Sequence, residues 1–387
     1  MASERDPGKA ESSEEVTARD MKPRERVLAA LKRGIPDRVP WLEISIDEIL
    51  QIRIMGTTDF TPGELCAKLG MDGFGCRFPI GGEATTGPVM MPAGSGFKEK
   101  YYYPQKVTFD FSPPFIAEKG VTPETGRAFV KRGLLTSKES LRLFDEYLPD
   151  PDHPARYEQV AEWIARYKGD YAVFARVRLG SSSMLESIGL MEFAYKVHDH
   201  PDFVKEVHRR FSEWSATVVE YLNQMDFDFY VTGDDLADSK SPWMSPEMFR
   251  EFFLPYQRIV ARAMKKPWVH HSDGNLLPIL DDLLSLGMSG IHPIQPRAMD
   301  INQVKEAYGN RICLLGNIDL DYTLTLGTPE EVEKEVRERI TQIGQGGGYI
   351  ITSANSLPDY CKTENVFAMA RAVTKYGKYP LEQDFKR

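Results

Sequence analysis

Two rhythms of apolar residues alternate along most of this chain. Short runs, YAVFARV from Tyr171, DFYVTG, PWVHHSDG, SGIHPIQP, RICLLGNID and GGYIITSA, are apolar in the middle and polar at the end. Between them, apolar residues recur three and four positions apart, the spacing of a helix face. That spacing predicts helices at 137–147, 156–168, 186–196, 201–224, 246–265, 275–286, 300–308, 329–342 and 363–376. A further helix begins at Pro23, carries Val27, Leu28 and Leu31 on one face and stops at Gly34, after which RVPWLEIS reads as a short strand. Strands alternating with helices imply parallel β/α units, and this spacing suits a (β/α)8 TIM barrel. An open doubly wound sheet is the main rival, but it usually carries a glycine-rich turn after its first strand, and RVPWLEISIDE has none. Between about 84 and 115 the pattern shifts to alternation rich in Tyr, Phe, Val and Pro, which predicts an inserted β-hairpin near the end of the first third, over the barrel mouth. Residues 1–20 hold almost no large apolar side chain and read as a disordered acidic tail, leaving 21–387 as one barrel.

Composition narrows the function. With 48 Lys and Arg against 57 Asp and Glu the net charge is −9, and no long basic run is present, so nucleic acid is not an expected partner. No stretch has the roughly 18 apolar residues needed to span a bilayer, and the polar N-terminus has no apolar signal segment, so no membrane association and a cytoplasmic location are expected. Cys66, Cys76, Cys313 and Cys361 contain no C-x-x-C pair, which argues against a disulfide framework and for a reducing compartment.

In a barrel, chemistry stands at the carboxyl ends of the strands. Those positions hold Glu43, Arg176 and Arg178, Asp234 and Asp235, His271 with Asp273 and Asn275, Gln295, Asn317 with Asp319, and Ser353 with Asn355. His271 and Asp273, two apart in an extended segment, point the same way and can converge as ligands or as an acid/base pair. Equally, His271 could bond loop backbone while Asp273 caps the next helix. His270 points to the other face and reads as structural. Adjacent Asp234 and Asp235 point in different directions, so one can face the cavity while the other orders a loop, or both order the loop. Glu43 is either a cavity acid or a salt-bridged one. Tyr101–Tyr103 read as a hairpin face unless the hairpin overhangs the mouth, where Tyr102 could stack on a planar substrate. No Ser or Cys stands in a nucleophile-elbow sequence, and Cys361 reads as structural.

The blocks MKPRERVLAALKRGIPDRVPW, VTGDDLADSKSPWMSPEMFREFFLPYQRIV, HHSDGNLLPILDDLLSLGMSGIHPIQP, YGNRICLLGNIDLDYTLTLGTPEEV and GGGYIITSANSLPDYCKTENVFAMARAVTKYGKYP resemble the uroporphyrinogen decarboxylase superfamily over about residues 21–380. The resemblance implies a (β/α)8 barrel and either decarboxylation or cobalamin-linked methyl transfer. Decarboxylases of the family carry an Arg-rich R-Q-A-G-R-Y stretch that serves a polycarboxylate; this chain reads EISIDEILQIR there. The methyltransferase branch binds zinc through His-x-Cys-Gly and a Cys before Leu-Pro, where this chain has His271, Ser272, Asp273, Gly274 and, at the second place, Asn355. A related cobalamin-independent enzyme adds a Glu where Gln295 stands.

The resemblance thus implies an oxygen-rich site, with His271, Asp273, Gln295 and Asn355 as metal ligands and zinc the first candidate metal. HSDGN, LLGNID and SANS are similar to blocks of the anaerobic O-demethylating methyltransferases. These move a methyl group from a methoxylated aromatic to the corrinoid of a partner protein. In that reading His271, Asp273, Asp235 and Glu43 are catalytic, and Asp234, Asn317 and Tyr102 bind substrate. Alternatives are methyl transfer from a methyl-corrinoid to tetrahydropterin, and a uroporphyrinogen-type decarboxylase. The sequence leaves the oligomeric state open, a homodimer being one option.

Overall fold

A computed structural model of the chain describes residues 20–75, 111–121, 128–151 and 157–382. The expected acidic tail lies almost wholly outside these residues, as do Tyr102 and most of the expected 84–115 hairpin. Its described end, 111–115, is not strand.

Seven parallel strands form one sheet in the spatial order β1 (Gly73–Gly75), β4 (Ala172–Val177), β5 (Phe229–Gly233), β6 (Trp268–His271), β7 (Gly290–His292), β8 (Cys313–Leu315) and β9 (Tyr349–Ile350). The segment 40–42 bridges the two edges. Ile351 N donates to Pro40 O (2.9 Å) and Leu42 N to Ile351 O (3.2 Å), while Asp72 N, just before β1, donates to Trp41 O (2.8 Å). The sheet is therefore curled and TIM-barrel-like. An antiparallel pair, β2 (Ala117–Val121) with β3 (Ala128–Gly133), stands apart from it, downstream of the expected hairpin. Strands β4 to β9 fall on the apolar runs. Strand β1 and the helices Glu48–Met55 and Pro62–Leu69 were not foreseen. The sequence GFG has no alternation to read, although Thr61, Pro62 and Glu64 do form a capping box.

Side chains alternate across the strands. Ala172, Phe174, Phe229, Val231, Val269, Cys313, Leu315 and Ile350 pack together inside the curl, joined by Val27, Ala30 and Leu31 of the first helix, Pro23–Leu31. Their neighbours Val173, Ala175, Tyr230, Trp268, Leu314 and Tyr349 belong to the layer packed on the outer helices. This period of two decides what reaches the interior at the carboxyl ends of the strands. Arg176, Gly233, His271 and His292 fall on the inner parity, and Thr232 and His270 on the outer. No helix of the described residues is long and apolar enough to cross a membrane.

Candidate functional site

At the end of β6 the strand runs into His271, Ser272, Asp273, Gly274. Gly274 has φ +85°, and a Cβ there would lie 2.4 Å from Asp238 O, so only glycine fits this turn. The turn is tied down by Gly274 N donating to Gln295 Oε1 (2.9 Å) and Asn275 N to Asp238 O (2.8 Å). Asn275, rather than Asp273, supports the next turn, accepting from Leu277 N at 3.1 Å. The Asp273 carboxylate is thereby left for the site.

Asp235, His271 and Asp273 bring one ligand atom each to within 4.8 Å of one another. His271 Nε2 lies 3.9 Å from Asp235 Oδ1, which also accepts from Asp273 N at 3.3 Å. Asp273 Oδ2 accepts from Asn355 Nδ2 at 2.6 Å, while its Oδ1 is buried with no hydrogen-bond partner among the described residues. Burial, with repulsion from Asp235, pushes the Asp273 carboxyl up to about 7 despite the Asn355 bond. Burial pushes His271 down to about 4, so its ring is neutral at physiological pH. A neutral imidazole beside two acidic groups is a donor set for a divalent cation.

Behind this group His271 Nδ1 meets His292 Nδ1 at 2.7 Å. His292 is not among the residues expected from sequence, although it too stands at a strand end: it pairs in register with His271 on the neighbouring strand. Arg176 leans across the floor. A Cβ on Gly233 would lie 2.4 Å from its Nη2, so the absent side chain makes room for the guanidinium. His270, on the outer parity, bonds Thr232 Oγ1 at 2.9 Å.

Gln295 and Asn355, expected as metal ligands, use their amides to hold Gly274 and Asp273. Both line a cavity of about 310 Å³ with Asp273, Leu320, Asp319 and Tyr360. Asp234 is fully buried and spends its carboxylate on Leu179 N (2.5 Å) and Ser182 N (2.7 Å), at the start of the helix Ser181–Ile188. Anchoring that helix leaves it no place on the cavity wall. Asn317 is buried as well, donating from Nδ2 to Ile294 O at 2.6 Å.

Glu43 is buried and accepts from Trp41 Nε1 (2.8 Å), Ser353 N (2.9 Å) and Ser353 Oγ (2.6 Å), and burial pushes its carboxyl up to about 7. It pins the 353–355 loop that carries Asn355. Cys66, Cys313 and Cys361 are buried free thiols outside the Asp235–His271–Asp273 group; Cys76 lies beyond the described residues.

Known proteins place this geometry in a family. A model of the uroporphyrinogen decarboxylase (URO-D) family matches residues 179–376, just over half of the 387-residue chain. Among curated proteins, the chain is 24% identical over 181 residues to a uroporphyrinogen decarboxylase of Coxiella burnetii, covering 44% of this chain and 47% of that protein. It is 31% identical over 159 residues to a methylated-thiol–coenzyme M methyltransferase of Methanosarcina mazei, covering 39% and 41%. The chain thus spans about half the length of the curated relatives it matches. A solved methyltransferase from Methanosarcina mazei has the same fold, with a TM-score of 0.67, 19% identity and coverage of 92% of this chain and 99% of that one. The alternating core, the strand-end site and the match over residues 179–376 agree, and the chain belongs to the uroporphyrinogen decarboxylase family.

Proposed function

We propose that this protein is a methyltransferase that takes a methyl group from a methoxylated aromatic compound and delivers it to the cobalt of a separate corrinoid protein. The observation that carries the reading is the group Asp235, His271 and Asp273, which contains no thiolate. A relative named for a methylated thiol and coenzyme M handles sulfur substrates, for which soft ligands are suited. Two carboxylates and an imidazole suit an ether oxygen better.

The residues fit a divalent cation, with zinc the first candidate. Three ligand atoms converge, the Asp273 Oδ1 atom is buried without a partner among the described residues, and two neighbouring carboxylates gain from a shared positive charge. A cation held there would supply that charge to the ether oxygen as its bond to the methyl carbon breaks. The chain's own residues do the rest. Asn355 and Gln295 fix Asp273 and its loop, and Glu43 fixes Asn355 through Ser353. Leu320, Pro296, Pro358 and Tyr360 offer apolar surface to an aromatic ring in the cavity. The electron pair of the broken C–O bond stays on oxygen as phenolate, and reduced cobalt supplies the pair for the new Co–C bond. No protein nucleophile is required, in keeping with the buried Cys313 and Cys361 thiols, both pushed up to about 12 by burial.

Decarboxylation of a polycarboxylate fits less well. The cavity is lined by Asp47, Asp273, Asp319 and Asp321, and its Arg297 pairs with Asp321 at 3.1 Å. Such a wall repels carboxylates.

Incubation with a reduced corrinoid protein and a panel of methoxylated aromatics, uncharged methoxyphenols beside methoxybenzoates, tests the reading. The expected result is a methylcobalt absorption band and release of the matching phenol. No band with any aryl ether, together with decay of a preformed methylcobalt band on adding tetrahydropterin, would replace it with the second half-reaction, methyl transfer from the methyl-corrinoid to tetrahydropterin.

A further inference from the structure

His292 sits where the proposed metal group meets the barrel interior, and it is fully buried. Its ring lies 5.0 Å from that of His271, centroid to centroid, with 34° between the planes, and the two Nδ1 atoms are 2.7 Å apart. At that distance one proton, and only one, lies between them: two Nδ1–H groups would collide and two bare nitrogens would repel. Two arrangements of the neutral pair satisfy this.

In one, His271 carries its proton on Nδ1 and donates to His292. Its Nε2 lone pair then faces Asp235 Oδ1, 3.9 Å away, on the side where Asp273 also converges. In the other, His292 donates, and His271 presents an Nε2–H to the carboxylates. Only the first lets His271 ligate a cation through Nε2. Passing from the second to the first moves the bridging proton from His292 Nδ1 to His271 Nδ1. One proton then leaves His271 Nε2 and one is taken up at His292 Nε2, so the net charge of the pair is unchanged.

We propose that His292 is a positioning residue for the metal site: it accepts the Nδ1 proton of His271 and so holds the Nε2 lone pair of His271 toward Asp235 and Asp273. The inference rests on the metal reading of that group. A ligating histidine gains both orientation and basicity from such a partner, which is ordinarily a carboxylate, a carbonyl or water. A second imidazole is a more specific solution, because it accepts only in one tautomer. Its location is set by topology: β6 and β7 pair in parallel with His271 opposite His292, and both residues fall on the inner parity. The His292 Nε2 atom is buried with no hydrogen-bond partner among the described residues. In the proposed arrangement this nitrogen carries a proton with no acceptor among the described residues, a cost that a cation held by His271 has to offset.

The test uses Zn²⁺ and the spectroscopic probe Co²⁺ on the full chain, with wild type, His292→Leu, His292→Asn and His271→Ala. His292→Leu keeps bulk without an acceptor and is expected to weaken metal binding by on the order of 10- to 100-fold. His292→Asn places a carbonyl oxygen near the lost Nδ1 and should restore most of that affinity. In zinc-loaded wild type labelled with ¹⁵N-histidine, the His271 ring should be protonated on Nδ1.

A folded His292→Leu variant with wild-type affinity, or a loaded wild type with the His271 proton on Nε2, would overturn the role of His292 while leaving the metal site standing. Wild type binding no more metal than His271→Ala would instead remove the metal reading, and His292's role with it. Should His292→Leu not fold, the Asn variant and the wild-type spectrum still decide the matter.

Discussion

The two ends of the barrel use the same residue types in opposite ways. At the amino-terminal end, just before β1, buried Asp72 accepts from Arg26 Nη1 (2.5 Å), Arg38 Nη2 (2.9 Å) and Trp41 N (2.8 Å). Asp37 is gripped by Arg26 through Nε (2.6 Å) and Nη2 (2.7 Å); burial alone would raise its carboxyl, but these bonds hold it below the usual carboxylate range. Asp228, before β5, pairs with Arg24 and accepts from Val173 N at 2.9 Å. At the carboxyl-terminal end Asp273 sits near Asp235 and, among the described residues, receives a side-chain bond from Asn355; burial pushes up the carboxyls of both Asp72 and Asp273, but at Asp273 a second carboxylate adds to it. One end is satisfied and holds the barrel shut. The other sets two carboxylates side by side, as expected of a site that gives up stability for function.

Breaking the satisfied end should have the largest effect. Asp72→Ala removes the carboxylate that Arg26 Nη1, Arg38 Nη2 and Trp41 N share, although Arg26 keeps Asp37, and is expected to cost about 3–5 kcal/mol, read from the urea midpoint. A loss below about 1 kcal/mol would mean the network contributes little beyond register.

Glu43 lies between the two regimes, buried at the working end yet fully bonded. Its carboxyl rises from an ordinary 4.5 to about 7, so between those values the folded protein keeps a proton that the unfolded chain has lost. Its contribution is therefore most favourable below pH 4.5, falls as pH rises to about 7 and is flat above, a change of about 3 kcal/mol. Glu43→Gln keeps an acceptor for Trp41 Nε1 and Ser353 N and can donate to Ser353 Oγ. The difference in stability between variant and wild type should accordingly grow in the variant's favour from pH 4.5 to 7. Parallel pH profiles would show that Glu43 does not titrate in that range.

The smallest effect is expected at the unsatisfied end, with the opposite sign. In chelator at pH 8, Asp273→Asn removes a carboxylate that Asp235 repels and keeps an acceptor for Asn355, so it should stabilise the protein by about 1–2 kcal/mol. With excess Zn²⁺ the order should reverse, because the wild type gains binding energy that the variant has lost. Thermal unfolding with and without zinc reads both arms, and destabilisation in chelator would place Asp273 with the structural acids.

Much of this contrast was legible along the chain. Apolar runs ending in polar residues located β4 to β9, and the period of two separated His270 from His271 before any neighbour was known. Adjacent Asp234 and Asp235 were expected to point in different directions, and they do: one anchors the helix at Ser181, the other meets His271. Asn355 and Gln295 were legible as residues near the site, but not as braces. An amide can ligate, donate as Asn355 does, or accept as Gln295 does, and the choice depends on which carboxylate or backbone amide stands opposite.

The sequence by itself therefore determined the parallel β/α order, the face on which each strand residue stands and the polar character of the strand ends, because periodicity and capping are local properties of the backbone. Only the tertiary structure decided that His292 lies against His271 and that Glu43 braces the 353–355 loop. It alone gave the carboxylates at one end arginine ion pairs and set Asp273 beside Asp235 at the other. Those pairings join residues 11 to 310 positions apart, and they are fixed by strand register and by how the sheet curls, which no local pattern encodes.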